Sequence, residues 1–295
     1  MEMFLQLLVT GIMLGALYGL VALGLVLIYK SSRVLSLAHG GFFMVLSFLA
    51  WSFAEQMGMP MWLSIISVLA VSVVLGYGVE RFILRPLTGQ PILSTVIVTL
   101  ALGYALDGVQ VIAWGGTTQA FRGFISETPL HLGFIVIEQP YLWSFLVAIM
   151  FFVGFLIFFR YSKQGLAMQI VSEDHQVARS LGIDVRKVFA QTWVLALIMA
   201  AIAGILYGAV QSITAVNANI GLIKALPVVL LGGLESLPGA LIGGLIVGVA
   251  EMVGSGYIDP FVGGGSKDII PLILMLLILL FKPYGLFGWV RIERI

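Results

Sequence analysis

The chain contains no cysteine, which removes disulfides, thiolate metal sites and a cysteine nucleophile together. Histidine is nearly as scarce: His39, His131 and His175 are the three present. They lie too far apart in sequence to form a ligand motif, so no metal site is expected. Charge is short as well. Asp, Glu, Lys and Arg make up 10% of 295 residues against 60% hydrophobic, and the mean hydropathy is +1.11. A soluble fold would have too little polar surface to cover itself with this composition. No GxxxxGK[ST] phosphate loop occurs, and the nearest run, GGGSK at Gly263 to Lys267, lacks its order. HExxH, GxSxG and paired carboxylates at helical spacing are missing too. The chain is expected to be no enzyme, to bind no cofactor and to hydrolyse no nucleotide by itself. A net charge of +1, with no basic stripe interleaved with aromatics, gives nucleic acid no footing.

What is abundant is apolar length. Runs of about 20 apolar residues, enough to cross a hydrocarbon core of roughly 30 Å, recur along the whole chain. They fall near 4–29, 35–53, 61–79, 91–114, 140–159 and 188–210, with a Gly-rich segment at 225–253 and a last run at 269–281. The expected fold is all-α and polytopic, one domain over 1–295 with about eight transmembrane helices. The N-terminal run follows an acidic start and is too long for a cleaved signal, so it is read as a retained first span. Placing Lys30, Arg33, Arg81, Arg85, Arg160, Lys163, Arg179, Arg186 and Lys187 on one side makes that side cytoplasmic and the N-terminus external.

The segment 225–253 carries Pro227, Gly232, Gly233, Pro238 and Gly239, which break a continuous helix near its middle. Read as a re-entrant pair that dips in and returns outside, it leaves the C-terminus in the cytoplasm with Lys282, Arg291 and Arg294. Broken helices at membrane depth persist only where protein buries them or a cavity adjoins them. Glu235, at the turn of that pair, is expected to lie deepest, while Asp107 and Glu251 are expected near the outer face. Glu235 is either a polar lining residue of a solute route or a helix cap. His39, Gly40 and Gly41 open the second span, and two readings stay open there: a break facing a translocated solute, or an interfacial histidine near Arg33. The Gly-Gly pair recurs at 232–233, a hint of an inverted repeat of the kind transporters use. Gly11, Gly15 and Gly19, and Gly239 with Gly243, recur at intervals of four. Such spacing puts small residues on one helix face, for packing within the chain or at a subunit interface.

The stretch SEDHQVARSLGIDVRK, 172–187, gathers charge in a chain that has little. Ser172 is a candidate N-cap, Glu173 and Asp174 suit a first turn, and Gly182 suits the left-handed residue that ends a helix. Asp184 can cap the span that follows. A short helix over 173–181 is therefore expected on the cytoplasmic side, inside a coupling loop at 160–187, presenting Val177 and Leu181 one turn apart. A helix lying on the bilayer surface would explain the charge, and one docking into a soluble partner would also explain the stop, cap and restart.

QVARSLG, with Ala178 and Gly182, resembles the EAAxxxG coupling loop of ATP-binding-cassette (ABC) importer permeases. Nearly the whole chain is similar to the branched-chain (hydrophobic) amino acid permeases of LivH type, through GALYGLVALGLVLIYKSSRVLSLAHGGFF, LGIDV, GGLESLPGALIGGLIVG and LLFKPYGLFG. Gln176 and Val177 depart from the coupling pattern, where Glu and Ala are usual. The resemblance implies a permease subunit in a prokaryotic inner membrane. Its implied partners are a second, homologous permease, two cytoplasmic ATPases that use ATP and Mg, and a periplasmic solute-binding protein. Glu173, Val177, Ala178, Arg179, Leu181 and Gly182 would couple to the ATPases; His39, Gly40, Gly41, Gly232, Gly233 and Glu235 would border the route. Leu, Ile and Val are the implied cargo, with urea or short amides as rivals. An ion-coupled secondary transporter using Asp107, Glu235 or Glu251 is the rival of another class, and a passive channel a third.

Overall fold

The computed structural model describes residues 1–87, 89–121, 128–132, 135–214 and 220–288; Arg291 and Arg294 lie outside them. In chain order the elements are α1 (Glu2–Ser32), α2 (His39–Trp51, continued by a π-helical turn Ser52–Gln56), α3 (Met61–Gly78, extended by tighter and wider turns to Leu87), α4 (Ile92–Trp114), β1 (Thr118–Gln119), β2 (Pro129–Leu132), β3 (Ile135–Glu138), α5 (Gln139–Tyr161), α6 (Lys163–Glu173), α7 (His175–Ser180), α8 (Val185–Val210), β4 (Ile213–Thr214), α9 (Ile220–Gly232), α10 (Leu237–Val262) and α11 (Ser266–Phe281). The only sheets among the described residues are two antiparallel pairs, β1 with β4 and β2 with β3. The protein is an all-α polytopic membrane protein. Six helices, α1, α3 with its extension, α4, α5, α8 and α10, are long and apolar enough to cross a bilayer. α2 and α9, at 13 residues each, and α11, at 16, fall short of the roughly 20 residues a crossing takes.

α1 is the axis of the bundle. Of its most apolar window 94% is buried, against 17% for α4 and 28% for α3 and α5, so α1 is enclosed by protein while those helices turn most of their surface outward. Its closest neighbour is α10, which runs antiparallel to it. A Cβ placed on Gly11 would come within 2.7 Å of Val249 Cα, one on Gly15 within 2.8 Å of Leu245 Cα, and one on Gly19 within 3.2 Å of Leu241 Cα. Lipid gives apolar helices no hydrophobic reason to associate, and backbone-to-backbone contact supplies the dispersion attraction that does. Gly239 and Gly243 pack the other way, against Gly232 and Val228 of α9. All five spaced glycines therefore pack within the chain.

The ends of the bundle follow from α1. Lys30 and Arg33 mark one, here the basic end; Arg33 reaches Ser172 O and Glu235 there. The other end holds the start of α1, where Gln6 and Val136 exchange two hydrogen bonds, of 2.6 and 2.9 Å. The segment at 225–253 is a helical hairpin, as expected from its Gly and Pro content, but the break is not deep. It occupies 233–236 at the basic end, beside Arg33, and α10 runs 26 residues back across without interruption. Pro238 sits in its first turn, where a helix has no amide bond to lose. Gly232, Gly233 and Glu235 are thus at the end of the bundle rather than in its middle.

The deep helix starts are elsewhere. His39 is fully buried, its Nε2 3.2 Å from Val21 O and its ring against Gly24, so it is not interfacial. The chain folds back from Arg33 into the bundle and begins α2 at mid depth. α9 begins there too: a Cβ on Gly40 would lie 2.6 Å from Leu222 N, and one on Gly221 would lie 3.2 Å from Gly40 Cα. Gly40 therefore packs on the start of α9 around Gly221, and Gly41 on Leu106 of α4; neither meets the pair at 232–233. Two half-length helices meet N-terminus to N-terminus, one running to each end.

Replacing Gly15 by Leu should destabilise the protein by about 1–3 kcal/mol or more, because the added atoms meet backbone that has no rotamer to yield. Gly154→Ala in α5, where a Cβ meets nothing within 4 Å, should leave stability unchanged. Thermal unfolding of the two variants in detergent distinguishes them.

Candidate functional site

The basic end carries a compact assembly around α7. Asp174 adopts extended backbone angles, and its carboxylate accepts from the amides of Gln176 (2.6 Å) and Val177 (3.1 Å). Asp174 is the cap, so the helix spans His175–Ser180 rather than 173–181. Ser172 is unavailable for capping: it lies in the last turn of α6, where its hydroxyl donates back to Gln169 O, and Glu173 closes that helix. At the other end Gly182 has φ +78, and the amides of Gly182 and Ile183 bond to Arg179 O and Ala178 O, both at 3.0 Å. Asp184 then caps α8 through the amides of Arg186 and Lys187.

These stops fix which face α7 shows. Ala178 is fully buried and the His175 ring packs edge-on against Phe189 at 5.5 Å. Val177 and Leu181 are 50% and 64% exposed, and Glu173 and Arg179 are exposed beside them. α7 thus presents an exposed apolar pair flanked by charge at the basic end of the bundle.

Arg33 connects this assembly to the rest. It ends α1 in the left-handed region, with φ 58, the one non-glycine residue with positive φ among the described residues. Its guanidinium pairs with Glu235 and donates to Ser172 O at 3.0 Å. One side chain therefore joins the end of the axial helix, the end of α6 and the α9–α10 turn. The closing segment reinforces that turn: Leu286 N and Phe287 N donate to Leu231 O and Gly232 O, the carbonyls that the last turn of α9 leaves without helical partners. Read in sequence, Arg33 marks only orientation; the unpaired acid at Glu235 is the signal that a cation must meet it.

A second ionic cluster lies inside the bundle. Lys224 Nζ is 3.2 Å from Glu251 Oε2, 3.1 Å from Asp268 Oδ1 and 2.8 Å from Lys267 O. Tyr18 donates to Glu251 Oε1 at 3.1 Å. Lys224 and Glu251 are almost wholly buried, and a cation of the same chain compensates the carboxylate there. Lys224 is the residue that sequence reasoning passes over, although a lone base in the apolar run IGLIKALP is itself a signal. Among the described residues no three His, Asp or Glu side chains converge as a metal ion would need.

Two cavities complete the picture. One, of about 410 Å³, opens at the basic end between Val34, Arg85, Thr99, Arg179 and Trp193. The other, of about 480 Å³, lies at the opposite end among Trp51, Glu55, Gln119 and Ser212.

Residues 7–279 match the family described as the branched-chain amino acid transport system permease component. The high-affinity branched-chain amino acid transport system permease protein LivH of Salmonella typhimurium is 31% identical to the chain, covering 99% of it and 98% of LivH. BraD of Pseudomonas aeruginosa, with the same description, is 30% identical over 99% and 98%. A probable LivH from Methanocaldococcus jannaschii is 30% identical over 94% and 90%. Among solved structures, PsaBC from Streptococcus pneumoniae in complex with Fab superposes with a TM-score of 0.54, covering 97% of this chain and 94% of that one at 17% identity, a likeness of fold.

The Lys224–Glu251 pair gives a direct test of the ionic cluster. Lys224→Met should cost about 3–5 kcal/mol, because it strands a buried carboxylate, and Lys224→Met combined with Glu251→Leu should regain most of that loss. Thermal unfolding of the single and double variants checks it.

Proposed function

The chain belongs to the branched-chain amino acid transport permease family, and from that footing we propose that it is the membrane subunit of an ABC importer for branched-chain and other hydrophobic amino acids. That it is a multi-pass permease rather than an enzyme follows from the family itself; cargo, direction and partners belong to the proposal. A second, homologous permease completes the membrane part. Two cytoplasmic ATPases dock on the basic end, using ATP and Mg, and a periplasmic binding protein delivers solute to the other. On this reading the basic end is cytoplasmic, the N-terminus is periplasmic and the described C-terminal segment, which returns to the basic end, is cytoplasmic.

The observation that carries the reading is α7 with its exposed Val177 and Leu181, capped at both ends and tied through Ser172 and Arg33 to α1. Glu173, Arg179 and the Gly182 turn frame the docking face, while Ala178 seats it on α8. Movement of the ATPases would be delivered to a rigid peg and passed to the axial helix and, through Glu235, to the Gly232–Gly233 turn. His39, Gly40 and Gly41, at the mid-depth helix junction, are assigned to the route; Gly232, Gly233 and Glu235 are assigned to transmission. The pairing of Glu235 with Arg33 and of Glu251 with Lys224 favours this reading over ion coupling, because each carboxylate already holds a cation of its own chain.

Leu181→Asp puts a charge in the centre of the docking face and should abolish co-purification of the ATPase subunits and leucine uptake, while the variant remains folded in the membrane. Retained co-purification would reject the role of α7. Proton-driven uptake by the chain alone in liposomes would reject the importer.

A further inference from the structure

The cavity of about 410 Å³ at the basic end is bounded by five segments of this one chain: the link from α1 to α2, the extension of α3, the start of α4, α7 and the start of α8. Thr99 and Trp193, which border it, are buried, so the space lies inside the chain and is not an outer face awaiting a neighbour. Its walls change character with depth. Arg179 and Arg186 are exposed at its rim, with Arg85 half-buried beside them, whereas Val34, Phe189 and Trp193 make an apolar interior. Trp193 lies eight residues along α8 from Val185, or roughly 12 Å, so the apolar part extends well below the level of the guanidinium groups.

Its charge is unbalanced. Among the described residues Glu80 is the one carboxylate on the cavity, and Arg85 holds it through two hydrogen bonds, of 3.1 and 2.7 Å. Asp184, nearby in the chain, accepts from the first amides of α8 and lies 3.7 Å from Lys187 Nζ. Arg179 and Arg186 have no ion pair among the described residues. Two spare guanidinium groups above an apolar interior suit a ligand that is anionic at one end and apolar at the other. A zwitterion fits less well, because Glu80, the acid that could take its ammonium group, is already engaged. A free phosphate would leave the apolar interior unfilled. Docking on α7 also leaves this side clear. At about 100° per residue, His175 and Arg179 turn towards the cavity, while Val177 and Leu181 point roughly the opposite way.

We propose that this cavity is a binding site for one anionic phospholipid of the leaflet at the basic end. Its phosphate meets Arg179 and Arg186, and the upper part of an acyl chain lies against Val34, Phe189 and Trp193. Basic pockets between helices on the cytoplasmic side take such headgroups, where the leaflet itself is anionic. The bound lipid fills the space between α7, α4 and α8, and so supports α7 from behind while its apolar pair faces a partner. The inference goes beyond the importer reading and shares with it only the cytoplasmic placement of the basic end.

The test titrates the full transporter in detergent with phosphatidylglycerol or with phosphatidylcholine of the same chains, and counts bound lipid by native mass spectrometry. Phosphatidylglycerol should bind more tightly, with one site per copy of this chain. Arg179→Gln combined with Arg186→Gln should weaken it about twenty-fivefold, roughly a factor of five for each guanidinium near the headgroup. Arg160→Gln combined with Lys163→Gln removes the same charge from the same end outside the cavity, and should leave that site unchanged. Thr95→Trp keeps the charge but fills the space from the α4 wall, and should displace the lipid as well. Equal affinity for the two lipids, equal losses in the two charge variants, or full retention by Thr95→Trp would each overturn the site. Displacement of the lipid by equimolar glycerol phosphate would overturn it too, because the apolar interior would then contribute nothing. Leucine uptake is not the readout, so the site can fail while the importer stands.

Discussion

Where α1 meets α10 no side chain separates the two backbones. Gly11, Gly15 and Gly19 lie directly on Gly248, Gly244 and Ala240, and this contact constrains everything around it. It fixes the antiparallel register of the two helices, which carries the α9–α10 turn to the last third of α1 and brings Glu235 within reach of Arg33. It also leaves α10 with its opposite small face free to hold α9 through Gly239 and Gly243. Shifting that register by one turn, about 5.4 Å, would part Glu235 from Arg33 and strand both charges.

The ionic contacts are consequences of that packing and divide the labour. Arg33 gathers three chain segments at the basic end, and its left-handed backbone lets the chain leave α1 and re-enter the bundle towards His39. Lys224 anchors the short helix α9 to α10 and to the start of α11 from inside. Between these fixed points the two half-length helices meet end to end, and α4 is held mainly along its buried residues, Thr99, Gly103 and Gln110. The molecule thus has an enclosed axis tied to α7 at the basic end and an outer helix, α4, that turns most of its surface outward.

Much of this was open to reading from composition and spacing. Apolar length announces the spans, and glycines at intervals of four announce close packing, although not which helix receives them. The cap, stop and restart around α7 are legible, yet Ser172 and Asp174 are both good caps. What decides between them is α6, whose mixed sequence KQGLAMQIVSE gives no strong amphipathic pattern and whose last turn claims Ser172. Gly232 and Gly233 say that the chain breaks; they cannot say at what height, because height comes from the α1–α10 register. The pairing of Lys224 with Glu251, or of Gly40 with Gly221, is a fact of tertiary geometry. A lone charge in an apolar run signals that a partner exists and stays silent on its identity.

The burial of α1 has a consequence for how the protein comes to exist. α1 leaves the ribosome well before the helix it packs on: it is the most enclosed of the six long helices, and the surface it needs belongs to α10, more than 200 residues later. At about 5–20 residues per second, that partner follows by roughly ten to forty seconds. Throughout that interval a glycine-lined helix waits in the bilayer with its contact face unoccupied, open to association with other chains. Insertion machinery that shelters early helices until late ones arrive, rather than releasing them one by one into lipid, is what a chain of this design demands of its host.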